Sequence, residues 1–216
     1  MMEASMSEQP RYFVVEGPIG VGKTTLARRL AKDFHADLVL EEPASNPFLE
    51  RFYSNPRQMA LHTQLHFLLQ RHSRIENLEL TPEKVVVADF LLEKDRLFAE
   101  STLDEAELTL YEQIHGLVIS DSPKPDLVVY LQAPVEVLLH RIHGRGRRFE
   151  RFIDTTYLQQ LNDAYASFFH YYSDAPLIIV NATEINFADN DDDYRELFDQ
   201  IKSINKGRHF FNPLPA

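Results

Sequence analysis

Gly17-Pro18-Ile19-Gly20-Val21-Gly22-Lys23-Thr24 fits the pattern G-x-x-x-x-G-K-[ST] without a mismatch, and its setting restricts the fold more than any other stretch of the chain. An apolar run, Tyr12-Phe13-Val14-Val15, leads in, and Thr25-Leu26-Ala27-Arg28-Arg29-Leu30 opens a helical pattern behind it. Glycines let such a loop curl until successive backbone N–H groups point inward, at the positive end of the following helix, and form a cradle for phosphates. Lys23 is expected to reach the β- and γ-phosphates of a bound nucleotide, and the Thr24 hydroxyl to ligate Mg²⁺. The segment from Gly17 to Thr25 is therefore the expected nucleoside triphosphate site. It leaves the reaction open.

A strand that feeds a helix through such a loop belongs in a parallel sheet, and the rest of the chain continues that grammar. Leu38-Val39-Leu40, Val85-Val86-Val87-Ala88, Leu127-Val128-Val129-Tyr130-Leu131 and Leu177-Ile178-Ile179-Val180 are apolar throughout instead of alternating, as strands covered on both faces must be. Helical patterns lie between them at Arg57 to Leu78, Leu103 to Val118, Val135 to His143 and Thr155 to Tyr171. The expected fold is α/β: a five-stranded parallel sheet with helices on both faces. No repeat or linker divides the chain, so one domain is expected over residues 11–205. A polar leader precedes it at 1–10, and an irregular tail follows at 206–216, with Phe210, Phe211, Pro213 and Pro215 packing on the body or on a partner. Asp189 to Asp193 reads as a solvated loop and helix start.

Composition removes several function classes. Lys and Arg number 22 against 33 Asp and Glu, a net charge of −11, which disfavours a nucleic-acid binder that works by neutralising phosphates. Cys is absent, so disulfides, thiol catalysis and cysteine-ligated zinc are excluded together. No run approaches the ~18 apolar residues of a membrane span, and the leader lacks the apolar centre of a signal peptide. A cytoplasmic protein is expected.

The second apolar run ends in Glu41-Glu42-Pro43. A carboxylate at the C-terminal edge of a parallel strand stands where ligands sit in such sheets, and Pro43 biases Glu42 toward an extended backbone. Beside a γ-phosphate, that carboxylate suits an acceptor hydroxyl whose proton must be taken up, and makes a poor neighbour for an anionic acceptor.

At this point the chain resembles the deoxyribonucleoside kinase family, in particular its bacterial deoxyadenosine/deoxyguanosine kinase branch. The likeness runs from about Arg11 to about Asn181. It is carried by the phosphate loop, Glu42-Pro43, Asn46-Pro47-Phe48-Leu49-Glu50-Arg51-Phe52-Tyr53 and Leu139-His140-Arg141-Ile142-His143-Gly144-Arg145-Gly146-Arg147. It implies a P-loop kinase-type three-layer fold, ATP as phosphoryl donor, Mg²⁺, a purine deoxynucleoside as acceptor, and a homodimer. Residue by residue it implies Glu42 at the 5′-hydroxyl, Tyr53 and Glu150 at the 3′-hydroxyl, and Gln64 and Arg71 at the sugar and base. Arg71 lies seven residues beyond Gln64, two helical turns along one face, so both can look into one pocket.

Arg141, Arg145, Arg147, Arg148 and Arg151 crowd a short segment of an otherwise acidic protein. With Gly144 and Gly146 for flexibility, the likeness makes residues 141–151 an arginine-rich lid, Arg141 and Arg145 meeting the ATP phosphates and stabilising charge as it builds. Lys23, Glu42, Asp89 and Arg145 are the expected catalytic residues. The pattern departs after the third apolar run: Ala88-Asp89-Phe90 lacks the arginine that the wider family places there. Asp89 is left three roles, as a base beside Glu42, as a Mg²⁺ ligand or as a substrate contact, and Lys94 joins the expected substrate contacts. Two rival readings compete: a thymidylate-type monophosphate kinase, which commonly has arginine where this chain has Glu41, and a P-loop switch, for which no N-K-x-D motif is present.

Overall fold

The computed structural model describes residues 12–78, 80–81, 83–119, 122–153, 155–185, 187 and 191–213. The expected leader and Pro215 lie outside them, as do Asp189 and Asn190 of the acidic run. Every residue of β1 (Tyr12–Glu16) is buried, because the strand is covered on both faces. Phe13 and Val15 face a core built with Leu26 and Leu30 of α1 (Lys23–Asp33), Leu138 and Ile142 of α6 (Val135–Arg145), and Leu197 and Ile201 of α8 (Asp191–Ser203). Tyr12 and Val14 face a second core with Ile75 of α3 (Pro56–Glu76), Leu97 of α4 (Lys94–Thr102), and Leu161, Tyr165 and Phe169 of α7 (Thr155–Tyr171). The period of two along a strand sorts adjacent side chains into the two layers, which is why the run reads as apolar throughout.

The remaining strands are β2 (Asp37–Val39), β3 (Val86–Ala88), β4 (Leu127–Gln132), β5 (Leu177–Asn181) and β6 (Arg208–Phe211), and the remaining helices are α2 (Leu49–Ser54) and α5 (Glu105–Ile119). The sheet order is β2-β3-β1-β4-β5-β6, and all five pairings are parallel. β1 lies between β3 and β4, so connections leave it in opposite directions and open a crevice at the carboxyl ends of the strands.

The sheet has six strands, not the five expected. The tail supplies the sixth: Arg208–Phe211 pairs with β5 in the register Leu177↔Arg208 to Val180↔Phe211, and Phe211 enters the core while Phe210 stays exposed. Four residues with a single buried aromatic give almost no periodicity to read, and Gly207 (φ 79°) turns the chain into the strand. Asp191 to Asp193 form the first turn of α8, where carboxylates suit the helix dipole.

Candidate active site

The phosphate loop leaves β1 at Gly17 and enters α1 at Lys23. Gly17 and Gly20 have φ of 149° and 89°, and a Cβ on either would lie 2.3 Å from the Leu131 carbonyl oxygen or 2.9 Å from that of Leu138. Gly22 (φ 111°) is the residue preceding the helix. The Val21 side chain is buried in the core, while Ile19, Gly20, Gly22, Lys23, Thr24 and Thr25 line a cavity of about 460 Å³. The Lys23 ammonium donates to the Gly17 and Pro18 carbonyls at 2.6 and 3.1 Å. Desolvation in the cavity, and then repulsion from Lys94, lower its pKa to about 8, against the pull of Glu16, Glu41 and Asp89.

Asp89 follows β3, the neighbour of β1. Its Oδ2 accepts the Thr24 hydroxyl at 2.5 Å and its Oδ1 accepts the Glu41 N–H at 2.6 Å. Burial raises its pKa, against the lowering effect of these hydrogen bonds. A hydroxyl and a carboxylate converging beside the phosphate cradle form an oxygen donor set suited to a hard divalent cation.

Glu41 and Glu42 part company. Glu42 before Pro43 has φ −118° and ψ 75°, short of the extended backbone expected there, and a single 3-10 turn, Pro43–Ser45, follows it. The Glu42 side chain is 62% exposed and bonded to Arg74 at 2.9 Å on the rim of the cavity, whereas that of Glu41 is 14% exposed and turned inward. Arg71 bonds Glu41 through Nε at 2.6 Å and also through Nη2. Burial pushes the Glu41 carboxyl up, but Arg71, Lys94 and Lys23 together outweigh it and hold the pKa at about 2. Glu41 is thus an ionised acceptor deep in the cavity.

Gln64 and Arg71 lie buried on the expected face of α3 and both line the cavity, with Tyr53 of α2. The Gln64 amide donates to the Thr102 hydroxyl at 3.3 Å. Arg71 is ion-paired to Asp95 as well as to Glu41. Asp95, 1% exposed, is absent from the sequence reading; in Glu93-Lys94-Asp95-Arg96 it looks like a solvated helix start, and only packing of α4 on α3 turns it inward. Lys94, expected among the substrate contacts, is not in the cavity lining: its ammonium is buried against Glu16 and Glu41.

The lid departs from expectation at its start. Gly144 lies within α6, and Gly146 (φ 62°) ends that helix in the left-handed conformation. Arg141 does not line the cavity. Its guanidinium donates to the carbonyls of Val21 (3.3 Å), Ala182 (2.8 Å), Thr183 (3.4 Å) and Ile185 (3.0 Å), which pins α6 to the phosphate loop and to the segment after β5. Arg145 does line it, bonded through Nε and Nη2 to buried Glu150 at 2.7 and 2.6 Å. Arg147 also lines the cavity, while Arg148 and Arg151 turn to Glu50. Burial, then Tyr157 and Glu150, raise the Tyr53 hydroxyl pKa, so it serves the site as a neutral hydrogen-bonding group.

A single cavity thus has a phosphate cradle at one end and a buried amide and guanidinium at the other, the guanidinium backed by Asp95 outside the lining, with an ionised carboxylate between. A model of the deoxynucleoside kinase family matches residues 13–206. The chain is 34% identical to the deoxyguanosine kinase of Bacillus subtilis over 200 residues, 89% of this chain and 97% of that protein. It is 31% identical to the deoxyguanosine kinase of Lactobacillus johnsonii, over 88% of this chain and 90% of that one. Deoxyadenosine kinase from M. mycoides with bound dATP superposes with a TM-score of 0.78 at 22% identity, covering 89% of this chain and all of that one, a likeness of fold. The chain belongs to the deoxynucleoside kinase family. It is a kinase whose acceptor is a nucleoside hydroxyl.

Proposed function

We propose that the protein transfers the γ-phosphate of ATP to the 5′-hydroxyl of a purine deoxynucleoside. The observation that carries the reading is the placement of Glu41 between Lys23 and Arg71 within one cavity. The likeness to two deoxyguanosine kinases supports the purine. In this reading the loop N–H groups and Lys23 bind the triphosphate. Gln64 and Arg71, the latter backed by Asp95, receive the base, with the planar guanidinium fork and the amide offering donors and acceptors to its edge. Tyr53 and Glu150 meet the sugar 3′-hydroxyl. Glu41 takes the role that the family likeness implies for Glu42: ionised at any working pH, it accepts a hydrogen bond from the 5′-hydroxyl, aims its oxygen at the γ-phosphorus and receives the proton as the bond forms. Arg145 and Arg147 face charge that spreads over the transferring oxygens. Mg²⁺, held by Thr24 and Asp89, would neutralise phosphate charge.

A homodimer is proposed from α3 and α5, which pack together through Leu68 and Tyr111 and leave Leu69, Leu110 and Leu117 exposed. Dependence on ATP fits a cytoplasmic enzyme; among the described residues, no helix is long and apolar enough to cross a membrane. The test is a panel of deoxynucleosides and their monophosphates with ATP and Mg²⁺, read as ADP release. Turnover of a purine deoxynucleoside and none of the monophosphates is expected. Preference for a monophosphate would overturn the reading.

A further inference from the structure

We propose that Thr102 is a positioning residue for base recognition: its hydroxyl fixes the Gln64 amide with the carbonyl oxygen toward the cavity, and so selects guanine over adenine. The inference rests on the nucleoside-kinase reading above, but on none of its assignments at the 5′-hydroxyl. Thr102 closes α4 and does not line the cavity, whereas Gln64, 3% exposed, does. The Thr102 hydroxyl donates to the Phe98 carbonyl one turn earlier at 2.6 Å, and its Oγ1 accepts from Gln64 Nε2 at 3.3 Å. A hydroxyl has a single proton. Because a carbonyl can only accept, the short bond to Phe98 uses that proton and leaves lone pairs toward Gln64. Only the nitrogen of the amide can answer them, so Oε1 takes the other side.

Arg71, two turns further along the same face of α3, is fixed by partners of its own. Its Nε and Nη2 donate to Glu41 and its Nη1 pairs with Asp95, while each Nη keeps a second N–H. The base end of the cavity therefore offers guanidinium donors together with an amide acceptor. Read from N7 through position 6 to N1, guanine presents acceptor, acceptor, donor, and adenine presents acceptor, donor, acceptor. Arginine donors on N7 and O6, with Gln64 Oε1 on N1–H, match guanine throughout. Adenine would set its 6-amino group against an arginine donor and its bare N1 against Oε1, and unmatched buried polar groups make rejection effective. A free amide could turn Nε2 to adenine N1 and recover one of those contacts. The bond to Thr102 prevents that turn. Hypoxanthine shares N7, O6 and N1–H with guanine, so the same site accepts it.

The test measures kcat/KM for deoxyguanosine, deoxyinosine and deoxyadenosine with ATP, in the unaltered enzyme, Thr102→Val and Thr102→Ser. Ratios taken within one enzyme cancel any loss of folded protein, which is all that a merely structural role would produce. The unaltered enzyme should use deoxyguanosine and deoxyinosine comparably, and both ahead of deoxyadenosine. Valine keeps the shape of the side chain and removes the hydroxyl. Thr102→Val should lower the deoxyguanosine-to-deoxyadenosine ratio by about 3–10-fold, the scale of one hydrogen bond, with KM for ATP within about twofold. Thr102→Ser keeps the hydroxyl and should hold the ratio within about twofold. An unchanged ratio in Thr102→Val, or an equal fall in Thr102→Ser, would overturn the proposal and leave the kinase reading in place. So would an unaltered enzyme that prefers deoxyadenosine, or one that rejects deoxyinosine as strongly as deoxyadenosine. An unaltered enzyme that phosphorylates no deoxynucleoside would remove both.

Discussion

The two ends of the cavity are built on opposite principles. The donor end is made of backbone: contiguous residues from Gly17 to Thr24, with glycines where a Cβ would strike the Leu131 and Leu138 carbonyls. The opposite end is lined by charged side chains from distant segments, Glu41 after β2 and Arg71 on α3, with Lys94 and Asp95 at the start of α4 paired behind them. A backbone cradle fits any triphosphate and tolerates little rearrangement. A charge network can be retuned one side chain at a time, so the variable part of the reaction, the acceptor, is met by the part that can vary.

That contrast can be broken by substitution. Lys23→Ala should abolish detectable transfer with the fold intact, because the lysine serves charge at the cradle and not packing; near-normal turnover would show that the loop is not the donor site. Glu41→Gln should lower kcat by ~10²–10⁴-fold, the contribution of a positioned base, with a small change in nucleoside affinity. Glu42→Gln on the rim should stay within about threefold of the unaltered enzyme, and a reversed order would return the base role to Glu42. Asp95→Asn leaves Arg71 with one carboxylate partner. It should weaken deoxynucleoside binding by about 10–100-fold, spare ATP affinity, and destabilise the fold by up to ~3–5 kcal/mol, as breaking a buried ion pair does. Isothermal titration with each substrate, with thermal unfolding alongside, checks it.

The smallest effect concerns pH. Lys23, at about 8 in the free protein, is a cation below that value and neutral above it. Since the triphosphate needs the cation, kcat/KM for ATP should fall as pH rises through about 8. A bound polyanion favours the charged form, so kcat should fall only at higher pH. Coincident profiles for the two parameters would contradict this assignment.

Much of the fold was legible because burial on both faces leaves an unmistakable trace. All five apolar runs became strands, and the pattern from Thr155 to Tyr171 became α7 residue for residue. β6 was illegible because an edge strand with one buried side chain carries no pattern. In the site, helical spacing puts Gln64 and Arg71 on one face and the family likeness turns that face toward a pocket, whereas which of Glu41 and Glu42 faces inward depends on a tertiary contact, Asp89 taking the Glu41 N–H. Asp95 was hidden for the same reason, and Lys94, expected at the substrate, could not be placed against Glu16 and Glu41. Their run is charged throughout, and only the packing of α4 distinguishes the two that turn inward from Glu93 and Arg96 beside them.

Arg141 has a mechanical consequence. Four backbone carbonyls from two loops hold its guanidinium, so α6 behaves as part of the rigid frame and not as a flap. An arginine-rich segment that opened over the cavity would have to hinge at Gly146, with residues 147–151 as the moving arm. Amide exchange should divide sharply there, slow along α6 up to the Gly146 N–H, which is bonded to the carbonyls of Ile142 and His143, and fast immediately beyond.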